Sequence, residues 1–229
     1  MRYAVYFTPP ADDPLTLAAS AWLGRNAFTG QTFSPEPVPE LTSERLVELT
    51  ADPRRYGFHA TLKAPFALAE GQSQADLEAA LAAFCKTTRS FAIPNAVIGQ
   101  LGAFFAIVPA EVYPQLQDFA ASVVETFEPF RAPLSDADIA RRKPERLTPE
   151  QHENLMRWGY PYAFDTFRFH MTLTGQVPVA EQPAMGDILH RRFATFTGRP
   201  LKIGGLGLYV ETARGEPFSV HSWLPLAGA

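Results

Sequence analysis

The feature that most constrains the fold of this chain is a tetrapeptide that occurs twice, as His59-Ala60-Thr61-Leu62 and His170-Met171-Thr172-Leu173. Around both copies apolar and polar residues alternate, which is typical of a strand with one apolar and one polar face. Only 5 histidines occur among 229 residues, so chance would produce such a tetrapeptide far less than once. Two copies therefore indicate an internal duplication.

The predicted elements around the two motifs follow the same order: a strand that carries the motif, then a helix, then further strands. This order predicts an α+β fold with two antiparallel sheets flanked by helices. We expect the whole chain, 1–229, to form a single bilobal domain with lobes built around 59–62 and 170–173. The two histidine faces should then line one central cleft. The two motif strands are predicted at 56–66 and 166–175, and the helices that follow them at 74–89 and 181–196. The later strands are predicted at 91–101 and 103–109 in the first half, and at 200–208, 208–212 and 218–225 in the second.

Composition excludes several classes of protein. Apolar residues make up 46% and charged residues 19% of the chain, which is typical of a folded globular protein. A net charge of −4 argues against a general nucleic-acid binder but leaves room for a local basic pocket. Cys85 is the only cysteine and lies in a predicted helix, so we expect it to be buried. The apolar run at 1–9 is too short for a signal peptide or membrane span, so we expect a cytoplasmic protein without a membrane partner.

The spacing within the motif suits phosphate chemistry. Histidine at position i and threonine at i+2 lie on the same side of a strand, about 6–7 Å apart. An imidazole can take or give a proton near neutral pH, and a hydroxyl can donate to a phosphoryl oxygen. Two copies supply a base, an acid and two donors, which suffices to cleave a phosphodiester without a metal or cofactor. The predicted catalytic residues are His59, Thr61, His170 and Thr172.

Other side chains are candidates for binding the substrate. If side chains alternate along each strand, Lys63 lies on the same face as His59, and Arg168 on the same face as His170. These two basic residues could hold an anionic group, or could be solvated charges. Tyr56 and Tyr160, and more weakly Tyr162, could stack on a sugar or base, or could be core aromatics. The basic run at 141–143 is either a solvated helix face or a group that reaches the cleft and binds a terminal phosphate. We expect the remaining histidines to be structural or surface residues: His152, His190 and His221.

Both motifs resemble the paired H-x-T-h motifs of the two-histidine (2H) phosphoesterase superfamily, which includes the ligT-like RNA cyclic phosphodiesterases. The longer stretches at 55–63 and 167–174 are similar to a bacterial branch named for phosphonate metabolism, whose function is unknown. The resemblance covers essentially the whole chain. It implies a duplicated, bilobal ligT-like fold, no metal, and a cyclic or 2′-linked phosphodiester substrate, such as a small phosphorylated sugar, a nucleotide or an RNA end. The narrower branch implies a ribose cyclic phosphate.

Three readings stay open at this point. The chain could be a cyclic phosphodiesterase, or a module that binds nucleotides or RNA ends without turnover. A metal enzyme with His59 and His170 as ligands is the weakest alternative, because no acidic residue shares their strand faces and divalent sites usually need three or more ligands. Neither the histidine that acts as base, nor the choice between hydrolysis and ligation, nor the oligomeric state follows from the sequence.

Overall fold

The computed structural model describes residues 1–229 as an α+β fold with two antiparallel sheets. The strands are β1 (Arg2–Phe7), β2 (Ala60–Phe66), β3 (Phe91–Leu101), β4 (Phe104–Pro109), β5 (Met171–Thr172), β6 (Arg199–Ile203), β7 (Gly205–Glu211) and β8 (Ser219–Pro225). The helices are α1 (Pro14–Leu23), α2 (Ser43–Leu49), α3 (Ala51–Tyr56), α4 (Gln74–Thr87), α5 (Pro114–Phe127), α6 (Asp136–Arg141), α7 (Pro149–Trp158) and α8 (Gln182–Arg192).

The two sheets exchange strands between the halves of the chain. The first sheet has the order β2-β1-β7-β8, and the second has the order β5-β4-β3-β6. Each motif strand therefore lies at one edge of its sheet, and β2 and β5 are neighbours across the junction of the two sheets. The predicted α+β fold with two antiparallel sheets flanked by helices is confirmed. The lobes are interleaved, however, because β4 and β3 from the first half pair with β5 and β6 from the second.

One hydrophobic core holds the sheets together. Residues of β1 alternate between its two faces, so that Tyr3, Val5 and Phe7 enter a cluster of 40 buried residues that extends through both sheets. Ala4 and Tyr6 point the other way, into a smaller cluster of 5 buried residues. Because side chains alternate along β1, one face of this strand packs into the main core and the other is directed toward the first motif.

Helix boundaries follow local signals in the sequence. At the start of α7, Thr148 and Gln151 form a reciprocal capping box around Pro149. Thr42 likewise caps α2 by accepting a hydrogen bond from the backbone N–H of Arg45. No helix combines the length and apolar content that crossing a bilayer requires.

The strand predicted at 166–175 is wrong over most of its length, because only Met171–Thr172 pair as a strand. A 3-10 turn at Phe164–Thr166 interrupts the extended backbone. The Thr166 hydroxyl lies 2.8 Å from the carbonyl oxygens of both Pro161 and Ala163. Bonds from a side chain to its local backbone compete with sheet pairing, and here they stabilise the turn.

Candidate active site

Both motif histidines immediately precede an edge strand and line one shared cavity. His59 stands before β2 and His170 before β5, and both side chains are half-buried. The cavity has a volume of about 290 Å³, and Thr61 and Thr172 also line it. The structure therefore brings together the four side chains that the repeated tetrapeptide singles out.

The two imidazole rings are held in the same way. The Nδ1 atom of His59 lies 2.9 Å from the carbonyl oxygen of Gly57, and that of His170 lies 2.7 Å from the carbonyl oxygen of Arg168. A carbonyl oxygen can only accept, so Nδ1 carries the hydrogen in both rings and Nε2 is the unprotonated nitrogen. In His59 the Thr61 hydroxyl lies 3.3 Å from Nε2 and can donate to it.

Gly57 fixes the backbone that orients His59. Its φ of 77° lies in the left-handed region, and a Cβ at this position would come within 2.5 Å of the Ala27 Cβ. A side chain would thus be strained and would also clash. The glycine carbonyl that binds His59 is therefore held in place by a conformation that other residues adopt only at a cost.

Burial shifts the titration of both imidazoles. Desolvation, together with a smaller effect of the nearby His170, lowers the pKa of His59 to about 4, against the opposing effect of the Gly57 carbonyl. Desolvation also lowers the pKa of His170, opposed by the Arg168 carbonyl. Both rings are therefore neutral near pH 7, with Nε2 available as a proton acceptor.

Aromatic rings pack around His59. The Tyr6 ring stacks on the imidazole with a centroid distance of 4.1 Å and an interplanar angle of 28°. The rings of Tyr56 and Tyr209 lie at 5.7 and 6.0 Å. Tyr6 could not be predicted from the sequence, because nothing in β1 distinguishes it from a core aromatic. Its position follows from the pairing of Tyr6 with Thr61 between β1 and β2.

Three further candidates line the cavity. Tyr56 and Tyr160 are both lining residues, as is Arg142 from the basic run. The Arg142 guanidinium lies over the Tyr160 ring, 5.1 Å from its centroid. Desolvation raises the pKa of Tyr160 to about 12, so its hydroxyl stays protonated and can donate. Tyr162 is exposed and packs edge-on against Tyr160.

The prediction that Lys63 shares the cleft face with His59 is wrong. Tyr6 pairs with Thr61 and Val5 pairs with Lys63, so β2 has one extra residue between these pairs. Such a bulge breaks the alternation of side chains and turns Lys63 to the opposite face. Lys63 is 2% exposed and forms an ion pair with Glu128, and its Nζ donates to the Val124 carbonyl at 3.2 Å.

Arg168 does not line the cavity either, contrary to the period-two prediction. The segment before β5 is not a strand, so alternation does not apply there. The exposed Arg168 guanidinium instead donates to the backbone carbonyls of Asp165 and Phe167, at 3.2 and 2.8 Å.

The remaining sequence predictions concern residues away from the cleft. His152, His190 and His221 are exposed, as expected, and Cys85 is buried. No group of three or more His, Cys, Asp or Glu side chains has an arrangement that could hold a metal ion.

Comparison with known proteins gives one family match and two long relatives. The model of a family described as "Protein of unknown function (DUF1045)" matches residues 61–219. A protein of Janthinobacterium sp. (strain Marseille), named ribose 1,5-bisphosphate phosphokinase PhnN, is 36% identical over 231 residues, or 99% of this chain and 51% of the relative. A protein of Laribacter hongkongensis (strain HLHK9) with the same name is 35% identical over 234 residues, or 100% of this chain and 53% of the relative. The chain thus spans about half the length of the curated relatives it matches.

Two solved structures show weaker similarity. TT0787 of Thermus thermophilus superimposes with a TM-score of 0.47 at 15% identity, over 99% of this chain and 98% of that chain. A protein described as a phosphoesterase has a TM-score of 0.42 at 14% identity, over 98% of this chain and 97% of that chain.

Proposed function

Since the chain belongs to the DUF1045 family of proteins of unknown function, we propose its activity from the geometry of the cleft: it is a metal-independent phosphoesterase that hydrolyses a small cyclic or 2′-linked phosphodiester. One observation carries the proposal. Two imidazoles that line one cavity have Nδ1 fixed by a backbone carbonyl and Nε2 unprotonated, and each has a threonine hydroxyl two residues away. This arrangement suits proton transfer on both sides of a bound phosphodiester.

In the proposed reaction, water attacks phosphorus as one imidazole takes its proton. A P–O ester bond breaks, and the other imidazole, in its protonated form, gives a proton to the leaving sugar oxygen. The Thr61 and Thr172 hydroxyls donate to the phosphoryl oxygens and stabilise the charge that develops there. A cyclic substrate opens to a phosphomonoester, and the two histidines have exchanged their protonation states.

The surroundings of the two rings support different roles. His59 has the pKa of about 4 and lies against three aromatic rings, so it remains neutral and suits the base. His170 has only the Phe104 ring nearby, at 5.7 Å. A phosphodiester anion bound in the cleft raises the pKa of both imidazoles, and the less shielded His170 takes up the proton first. We therefore assign the base to His59 and the acid to His170.

For the substrate we propose a ribose cyclic phosphate in phosphonate metabolism. The printed name of the relatives describes a kinase for ribose 1,5-bisphosphate, and this chain corresponds to about half of their length. The chain has no G-x-x-x-x-G-K-[ST] run, the phosphate loop found in many kinases. Hydrolysis of a ribose cyclic phosphate would be a separate reaction on a related sugar phosphate.

Turnover of a small panel in excess chelator tests the proposal. The panel contains 2′,3′-cyclic nucleotides, a 2′–5′ linked dinucleotide and ribose 1,2-cyclic phosphate 5-phosphate. We expect the wild type and the surface control His190→Ala to cleave at least one member, and His59→Ala and His170→Ala to lose this activity. Activity that disappears with chelator would refute metal independence. Binding of panel members without any cleavage would favour a binding module.

A further inference from the structure

A second cavity of about 500 Å³ adjoins the cleft. Arg2, Tyr56, Pro65 and Arg142 line both cavities, so the two spaces share a wall. Five arginines line the second one, which we call the arginine cavity: Arg2, Arg55, Arg141, Arg142 and Arg214. They come from the start of the chain, α3, the basic run and the β7–β8 loop, so only the folded chain brings them together.

The positive charge of the arginine cavity exceeds the carboxylates that neutralise it. Arg2 and Arg55 share Glu211, with nitrogen–oxygen distances of 2.5 and 3.4 Å. Arg141 and Arg214 share one oxygen of Asp138. Arg142 forms no ion pair with a carboxylate and lies over Tyr160.

Five guanidinium groups thus face two carboxylates, a local excess of three positive charges. The whole chain carries a net charge of −4, so the charge of this cavity is opposite in sign to the net charge of the molecule. Such an excess beside a cleft attracts a multivalent anion.

The guanidinium groups are also oriented before any ligand binds. The Arg55 guanidinium lies 4.7 Å from the centroid of Tyr56 and donates to the hydroxyl of the same residue at 2.6 Å. Glu211 is fully buried, and its ion pair with Arg2 fixes the Arg2 side chain. Planar guanidinium groups held in this way match the oxygens of a phosphate better than mobile lysines do.

We propose that the arginine cavity binds a second phosphate, so that the substrate is a cyclic phosphodiester that also carries a terminal phosphomonoester. The proposal rests on the proposed function, because it needs the diester in the adjoining cleft. A phosphomonoester carries a charge close to −2 at neutral pH and three acceptor oxygens, which suits an excess of guanidinium donors. A diester without the second phosphate would fill the cleft and leave this charge unused.

The test compares two pairs of substrates that differ only in the terminal phosphate: ribose 1,2-cyclic phosphate with and without its 5-phosphate, and a 2′,3′-cyclic nucleotide with and without a 5′-phosphate. For wild type we expect kcat/KM to be at least tenfold higher for the phosphorylated member. The double variant Arg141→Gln/Arg214→Gln should lose this preference, at roughly tenfold per lost charge-assisted hydrogen bond. Its kcat/KM for the unphosphorylated member should not fall, because neither arginine lines the cleft.

A matched control removes two ion-paired arginines away from both cavities, Arg191→Gln/Arg192→Gln, whose partners are Glu40 and Glu36. It should keep the wild-type preference, and loss of preference there would show a general charge effect and overturn the proposal. Calorimetric binding of the same ligands to His59→Ala/His170→Ala protein separates the two proposals. If the phosphorylated ligands bind preferentially but the wild type cleaves none of them, the proposed hydrolase activity is refuted and the proposed phosphate subsite is supported. Turnover without preference would sink the subsite alone.

Discussion

The two motif regions share a tetrapeptide pattern but not an environment. β2 runs for seven residues along β1, whereas β5 has two residues that pair only with β4. His59 stacks on Tyr6 and has a threonine hydroxyl at its Nε2 atom, whereas the ring nearest His170 is Phe104 at 5.7 Å. The local bond from Nδ1 to a carbonyl two residues earlier is common to both.

The motif therefore specifies the orientation of the imidazole, while the surrounding fold specifies its basicity. A hydrogen bond within three residues needs only the local backbone. Desolvation depends on which rings the rest of the chain packs against the histidine. Two copies of one motif can therefore hold the two unequal roles that an acid/base pair requires, and substitutions in and around the motifs can break this contrast.

The largest expected effect comes from exchanging the leaving group. If His170 is the acid, His170→Ala should lose about 10²- to 10⁴-fold in kcat on a sugar leaving group but far less on a p-nitrophenyl phosphodiester, which needs no proton to leave. His59→Ala should lose activity on both. Steady-state rates on matched sugar and p-nitrophenyl esters check this. If the p-nitrophenyl ester restored the activity of His59→Ala and not that of His170→Ala, His59 would be the acid and His170 the base.

Lys63 should matter for stability and not for chemistry. Lys63→Ala removes the buried ammonium partner of Glu128, which keeps its ion pair with Arg131, so the free energy of unfolding should fall by about 1–3 kcal/mol. Below its melting temperature, the variant should keep wild-type kcat/KM. Urea denaturation and steady-state kinetics measure the two effects. Impaired turnover in a variant of unchanged stability would show that Lys63 acts in the cleft and would contradict its structural role.

Acid should destabilise the protein through His59. Its pKa is about 4 in the folded chain and about 6.5 when unfolded, so between these values the unfolded state binds the extra proton. As the pH falls from 6.5 to 4, this term removes up to about 3 kcal/mol of stability. The free energy of unfolding, measured across this range, should depend less on pH in His59→Asn than in wild type or in His190→Asn. Parallel curves for all three would contradict the burial argument.

The smallest effect is expected at Arg168. Its guanidinium is exposed and contacts only nearby carbonyls, so Arg168→Ala should change stability by no more than about 0.5 kcal/mol. Turnover should stay within a factor of two. A tenfold loss of kcat/KM would show that Arg168 reaches the substrate during the reaction.

Sequence patterns predicted the fold class and the placement of the four motif residues along one cleft, because periodicity and a repeated tetrapeptide are local signals. They failed for Lys63, since a bulge in β2 depends on its pairing with β1. They failed for the strand before His170, where Thr166 bonds to its local backbone instead of continuing the strand. In both cases a neighbouring segment or a side-chain bond overrides alternation.

The residues missed around the cleft have no motif of their own. Tyr6 and Arg2 belong to β1 and reach the site only because β1 lies beside β2 in the first sheet. Arg214 is far from the basic run in sequence yet shares Asp138 with Arg141. Their contribution depends on strand order, which single-sequence patterns do not encode.

The exchange of strands between the sheets has a consequence for how the molecule comes apart. Because β3 and β4 complete the sheet of the second motif, and β7 and β8 that of the first, neither half of the chain contains a finished sheet for its own histidine. A cut between the halves should yield fragments that regain structure only by reassociation, and heating should melt both lobes in a single transition. The width of the cleft is thereby tied to global unfolding, so the two histidines cannot separate by loss of one lobe alone.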